Sequence, residues 1–449
     1  MRVCYSTNLP LDLVQLIGPG AGAATIASAI EGAIAQGRLQ PEAKLPPVRE
    51  LAAWLDVSPA TVAAAYRTLR QRGFVVAERA RGTSVAPQPP VRVKRIAPLP
   101  AGVRDLASGN PDPRLLPPLT KALAGVDPAH RLYGVPAKLP ALAALAEAEF
   151  AADGIRGDVA VTGGALDAIE RALETELRVG DRVVVEDPSW PRISDLVHAL
   201  GLVVEPVAVD ERGLVPDALE RALRAGARAV IATPRGQNPT GAAVDAQRGR
   251  DLRARLADHP DVLMIEDDYV AHVAGAPYVP VHPVGGRWAV VRSLSKVVGP
   301  DLRIALVAGD PLTISRLEGR QRLGPGWVSH ILQQIAAQLL QDRATPRLLA
   351  RAEQTYAERR HAIVSALAAR DIHAAGDSGL GVWVPLADEA AAVRELLAEG
   401  WAVSPGERYR FHSSPGIRIT TADLEPAEAE RLADAIAGLG RLPATTYAG

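Results

Sequence analysis

Cysteine is almost missing from this chain: Cys4 is the only one in 449 residues. That excludes an intrachain disulfide and fits a reducing compartment, the cytoplasm. No apolar run reaches membrane-spanning length, and a start broken by Arg2, Asn8 and Asp12 lacks the continuous core of a signal peptide. No membrane partner is expected. Lysine is scarce as well. Only Lys44, Lys94, Lys121, Lys138 and Lys296 occur among fifty basic residues, so arginine carries nearly all the solvating charge. No internal repeat and no set of metal ligands stands out. What is present is ample apolar content for a large core and enough length for two or more domains.

The near-neutral total hides an asymmetry. Residues 1–104 carry a net charge of +7 and the remainder −8, which together make the −1 of the whole. A basic front end on an acidic body points to a polyanionic partner. Between them, residues 87–104 are proline-rich and basic without helical or strand period. They read as a semi-extended linker of about 50 Å at about 3.1 Å per residue. The expected domains are therefore 1–86, the linker 87–104, and a body over 105–449.

The spacing in the front module predicts helices over 24–35 and 47–55. A turn at Asp56-Val57 follows, then a third helix with Ser58 as N-cap and Pro59 at the first helical position. Val62, Tyr66 and Leu69 share one face of that helix, and Gly73 stops it. Val75-Val76 and Thr83-Ser84-Val85, joined across Arg79-Ala80-Arg81-Gly82, read as a two-stranded wing. This is the winged helix-turn-helix plan.

In the body, short apolar strands (182–186, 203–207, 229–232, 262–266, 288–292 and 303–308) alternate with amphipathic helices, the mark of an α/β fold with a mainly parallel sheet. Such sheets bind ligands beyond the carboxyl ends of their strands, and the polar motifs lie there. Gly163-Gly164-Ala165-Leu166 opens a helix whose free N–H groups suit a phosphate. Trp190, in Asp187-Pro188-Ser189-Trp190, can cover a planar ring. Asn238 and Tyr269 can share an aryloxide, and a carboxylate from Asp267 or Asp268 can pair with a protonated pyridine nitrogen. Lys296, in Ser293-Leu294-Ser295-Lys296 with Arg303 seven residues on, is an amine suited to a Schiff base beside phosphate-holding hydroxyls and a guanidinium.

Two resemblances join these motifs. Lys44-Leu45-Pro46-Pro47-Val48-Arg49-Glu50-Leu51-Ala52, Val57-Ser58-Pro59-Ala60-Thr61-Val62, Ala65-Tyr66-Arg67-Thr68-Leu69 and Arg81-Gly82-Thr83 closely resemble the GntR family of bacterial repressors. That resemblance implies double-stranded DNA as partner and Arg49, Ser58, Thr61, Arg67 and Arg81 as the residues facing it. Pro59-Ala60 departs from the polar residues usual there, so base readout is expected to differ. Over roughly residues 105–445 the body resembles fold-type I pyridoxal-phosphate enzymes of the class I aminotransferase family. The likeness implies pyridoxal 5'-phosphate (PLP) as cofactor, Lys296 as its Schiff-base lysine, and Asp267 against the ring nitrogen. It also implies Asn238 and Tyr269 on the ring oxygen, Trp190 on the ring face, and Gly164, Ala165, Leu166, Ser293, Ser295 and Arg303 on the phosphate. Trp190 stands where the family more often has Tyr or Phe. Tyr133 matches a position that reaches the partner subunit's phosphate, implying a homodimer, and Arg418 matches the arginine that grips a substrate carboxylate.

The order of the two modules resembles the MocR/GabR subfamily of regulators. It implies a head-to-tail dimer and a PLP-dependent, DNA-binding transcriptional regulator that senses PLP, an amine or an amino acid. In that subfamily the short Asp-Asp-Tyr spacing favours Asp267 over Asp268. Two alternatives stay open: an aminotransferase with an accessory winged helix, and a GntR-type repressor whose body binds no PLP. Asn238-Pro239-Thr240-Gly241 and Arg418 leave the body at most partial transaminase chemistry beside effector sensing.

Overall fold

The computed structural model describes residues 14, 16–35, 38–71, 73–78, 82–86 and 99–439; Arg81 and the linker residues 87–98 lie outside them. Contacts divide the chain into two units, 1–96 with 178–181 and 194–204, and the remainder.

Helix α1 (Ala23–Ala35) buries Ile26, Ile30 and Ile34 at four-residue spacing, one stripe of a 3.6-residue period. Helix α2 (Val48–Trp54) buries Leu51 and Ala52 and is followed by Asp56 at φ 52°, a left-handed turn that a short polar side chain tolerates. Helix α3 (Pro59–Gln71) begins where the Ser58 hydroxyl accepts the Thr61 N–H at 3.2 Å, as the N-cap reading predicts. Its apolar face buries Val62, Ala65 and Leu69, while the Tyr66 hydroxyl donates to the Pro46 carbonyl at 2.8 Å and pins α3 to the start of α2. Strands β1 (Val75–Glu78) and β2 (Gly82–Val85) then pair antiparallel, Val75 opposite Val85, to form the wing.

A short strand β3 (Arg104–Asp105) pairs parallel with β13 (Trp401–Ala402), and the principal sheet of the body has eight strands: β4 (Asp158–Thr162), β5 (Arg182–Asp187), β6 (Val203–Asp210), β7 (Gly213–Leu214), β8 (Ala227–Ala232), β9 (Leu263–Asp268), β10 (Arg287–Ser293) and β11 (Ala305–Gly309). Their order is β4-β11-β10-β9-β8-β5-β6-β7, with β10, β9, β8 and β5 mutually parallel. The carboxyl ends of these central strands carry the polar motifs. Strand β11 is antiparallel to both neighbours and starts at Ala305, so the strand expected from Arg303 is corrected. Arg303 instead closes the 3-10 turn Pro300–Leu302 in the left-handed region, φ 50° and ψ 51°. That conformation costs an ordinary residue roughly 1–2 kcal/mol. Here it swings the guanidinium back toward Gly164. Strand β9 runs on to Asp268, further than its apolar run reaches, because both aspartates are buried in the sheet.

A smaller antiparallel sheet sets β15 (Gly416–Thr420) between β12 (Gly381–Pro385) and β14 (Ser404–Pro405). Ile417 and Ile419 of β15 bury in a core shared with Ile363 and Leu367 of helix Thr345–Ala368 and Leu432 and Ile436 of helix Pro426–Gly438. Arg418 alternates to the opposite face. Among the described residues no helix is long and apolar enough to cross a membrane.

Candidate cofactor-binding site

Lys296 lies in the turn between β10 and β11, and its ammonium donates to the Gly109 carbonyl at 2.5 Å. Burial, then the nearby positive charges of Arg418 and Arg303, pull its pKa from the ordinary lysine value down to about 8. Both causes disfavour the ammonium, so neutral, nucleophilic amine is present near neutrality.

Asp267 and Asp268 differ sharply. Asp268 is fully buried and takes a fork from Arg235, Nε to Oδ1 at 2.8 Å and Nη2 to Oδ2 at 2.9 Å, plus Arg292 Nε at 2.8 Å. These partners hold its pKa below the usual carboxylate range against the opposing effect of burial. Arg292 continues to Asp153 at 2.6 Å and Glu149 at 3.1 Å. Asp267 is also buried, yet its Oδ1 has no hydrogen-bond partner. Burial, Asp268 and Glu186 push its pKa up to about 7. Of the two aspartates, only Asp267 keeps an oxygen able to accept a donor from a ligand.

Asn238, in the turn beyond β8, likewise has a buried, unpartnered Oδ1. The Tyr269 hydroxyl donates to the Gly236 carbonyl at 2.8 Å, and burial raises its pKa against the pull of Arg418. Trp190 is half-buried in the turn after β5. That turn is anchored because the Asp187 carboxylate accepts the N–H groups of Phe411, His412 and Ser413 and the Ser413 hydroxyl.

At the phosphate end, helix Ala165–Glu176 starts without a side-chain cap, so the N–H groups around Ala165 and Leu166 stay available to an anion. Gly164 adopts φ 110°, and a Cβ there would come within 2.7 Å of Arg303 Nη2. Only glycine lets that guanidinium lie across the helix start. Ser293 is buried and its Oγ accepts the Ser295 N–H at 3.2 Å, which leaves its own proton to donate outward. Arg418 is buried, has no carboxylate partner among the described residues, and reaches the Ala107 carbonyl at 3.4 Å. A buried guanidinium lacking a counter-ion suits a ligand carboxylate.

Tyr133 is not brought to these residues within one chain. It stands 93% exposed, its ring edge-on to Trp327 at 5.7 Å. Of the candidate DNA-facing residues, Arg49, Ser58 and Arg67 are exposed, Thr61 is half-buried, and Arg81 lies outside the described residues. The motifs missed Gly109 and Glu186 and gave Gln237 no role of its own. Glu186 was detectable as a polar residue abutting the Asp187 motif; Gly109 reaches Lys296 through tertiary folding alone.

Residues 103–436 match the aminotransferase class I and II family, and residues 23–85 match the gntR family of bacterial regulatory proteins. The chain is 39% identical over 420 residues to the vitamin B6 salvage pathway transcriptional repressor PtsJ of Salmonella typhimurium, covering 92% of this chain and 97% of the relative. It is 28% identical to the HTH-type pyridoxine biosynthesis transcriptional regulator PdxR of Corynebacterium glutamicum, over 74% of this chain and 76% of that one. Among solved structures, Pyrococcus horikoshii kynurenine aminotransferase superposes with a TM-score of 0.70 at 22% identity, over 77% of this chain and 92% of that one, a likeness of fold.

Proposed function

We propose a function from one premise: the chain belongs to the aminotransferase class I and II family in its body and to the GntR family in its front module, the MocR/GabR plan. It is a DNA-binding transcriptional regulator whose body holds PLP and responds to it or to an amino compound. The observation that carries the cofactor is the bare Oδ1 of buried Asp267, which no donor among the described residues reaches. PLP supplies an aldehyde for amine capture and a ring that draws electrons when its nitrogen is protonated.

The chain's residues divide the work. Lys296 presents the amine, Asp267 accepts the ring N–H, and Asn238 with Tyr269 faces the ring oxygen. Trp190 covers the ring, while Gly164, Ala165, Leu166, Ser293, Ser295 and Arg303 hold the phosphate. Arg418 takes the carboxylate of an amino acid. Arg49, Arg67 and Arg81 position phosphates of double-stranded DNA, with Ser58 and Thr61 near the base edges. The relatives that resemble the chain along its length are described as regulators of vitamin B6 salvage and pyridoxine biosynthesis, which favours a B6 compound as signal. Exposed Tyr133, with Leu132 72% exposed beside it, supports a homodimer in which this tyrosine reaches the partner's phosphate. A ligand with unequal affinity for two arrangements of the modules shifts their populations on DNA.

The test is absorbance of the purified protein with PLP, borohydride fixation mapped to Lys296, and footprinting upstream of its own gene at stated salt with and without PLP. A colourless protein, or a footprint indifferent to PLP and amines, overturns the reading. The free Arg418 guanidinium favours one second reading, an aminotransferase; robust turnover without a specific footprint would establish it.

A further inference from the structure

Glu186, the last residue but one of β5, is buried, and among the described residues no lysine, arginine or histidine pairs with it. Its Oε1 accepts the Thr233 N–H at 3.0 Å and its Oε2 accepts Gln237 Nε2 at 3.0 Å. Gln237 is 1% exposed and uses its whole amide. The same Nε2 donates to the Pro188 carbonyl at 2.7 Å, and its Oε1 accepts both the Thr240 N–H at 3.0 Å and the Thr240 hydroxyl at 2.6 Å. The Thr240 backbone donor fixes which end of the amide is oxygen, so the NH2 must face Glu186 and Pro188. One carboxylate therefore ties two turns together. The Pro188 turn carries Trp190, and the Thr240 turn carries Asn238.

We propose that Glu186 is a positioning residue of the ring pocket: through Gln237 it sets the gap between Trp190 and Asn238. A buried carboxylate is retained at a desolvation cost unless a partner offsets it. Thr233 and Gln237 satisfy its hydrogen bonds but bring no positive charge. Burial pushes the Glu186 pKa up to about 7, so its hold on the two turns rests on these hydrogen bonds. The inference rests on the PLP reading above.

The experiment compares the full-length wild type with Glu186→Gln and Gln237→Leu. It measures PLP affinity, the induced circular dichroism of the bound chromophore, and thermal unfolding before PLP is added. Glu186→Gln is expected to weaken PLP about tenfold or more, the scale of a buried hydrogen bond to a charged group, and to change the induced dichroism. Gln237→Leu is expected to change the induced dichroism as well. Wild-type protein that binds no PLP would defeat the cofactor reading itself. Wild-type binding with unchanged affinity and dichroism in both variants would overturn the role of Glu186 alone. Should Glu186→Gln unfold before PLP is added, Glu186→Asp, which keeps the charge and shortens the reach, decides: unchanged dichroism overturns the proposal.

Discussion

Asp267 and Asp268 are consecutive on one buried strand, yet Asp268 is forked by Arg235 and touched by Arg292 while Asp267 leaves an oxygen bare. Alternation along β9 sends the two side chains to opposite faces of the sheet. One face holds the ion network and the other the pocket. Asp268→Asn should therefore destabilise the fold by about 3–5 kcal/mol, the cost of breaking a buried pair. Asp267→Asn should leave thermal unfolding near wild type and weaken PLP, read by absorbance titration.

The amine of Lys296 has a pKa lowered from the ordinary lysine value to about 8. Lowering means the neutral form gains as pH rises through about 8, not through the ordinary lysine range. The rate of PLP capture by stopped-flow absorbance should thus climb about tenfold per pH unit below the midpoint and level above it. A climb continuing to pH about 10 would show that the lysine is unperturbed.

Arg418 is a further lever on that midpoint, because its charge helps to lower it. In Arg418→Gln the capture midpoint should move to higher pH. The same variant should lose about tenfold to a hundredfold of its preference for an amino acid over the amine lacking the carboxylate, the scale of a charged bidentate pair. Competition titrations measure both.

Gly164 sits at φ 110°, with Arg303 Nη2 within 2.7 Å of where a Cβ would stand. Gly164→Ala should strain the backbone by about 1–3 kcal/mol and push the guanidinium off the helix start. Affinity for PLP should fall more than affinity for pyridoxal, which lacks the phosphate.

Arg67 is exposed on α3. Arg67→Ala should weaken DNA binding about equally across sequences and reduce the slope of log affinity against log salt by about 1. Ser58→Ala instead removes the cap on Thr61 and should cost about 1 kcal/mol of stability.

The winged helix was legible because its signals are local: Ser58 before Pro59, one apolar face on each helix, Gly73 as a stop. So was the parallel α/β body, whose strands read as short apolar runs. Lys296, Asn238 and Trp190 were legible as motif residues beyond strand ends, where this type of sheet places its ligands, and Arg418 as part of the strand motif Gly416-Ile417-Arg418-Ile419. The start of β11 was misread because Arg303 is followed by apolar residues, and only its packing against Gly164 places it in the left-handed region.

By itself, then, the sequence determined which residue types lie at the strand ends and how the two modules follow one another. Both depend on local periodicity, capping and turn chemistry. Only the tertiary structure decided which of two adjacent aspartates is spent on Arg235 and Arg292 and which stays bare. It alone brought the Gly109 carbonyl to Lys296, and Gln237 between Glu186 and the Pro188 turn. Such partners lie scores of residues apart, and hydrogen bonding across that separation leaves no period in the chain.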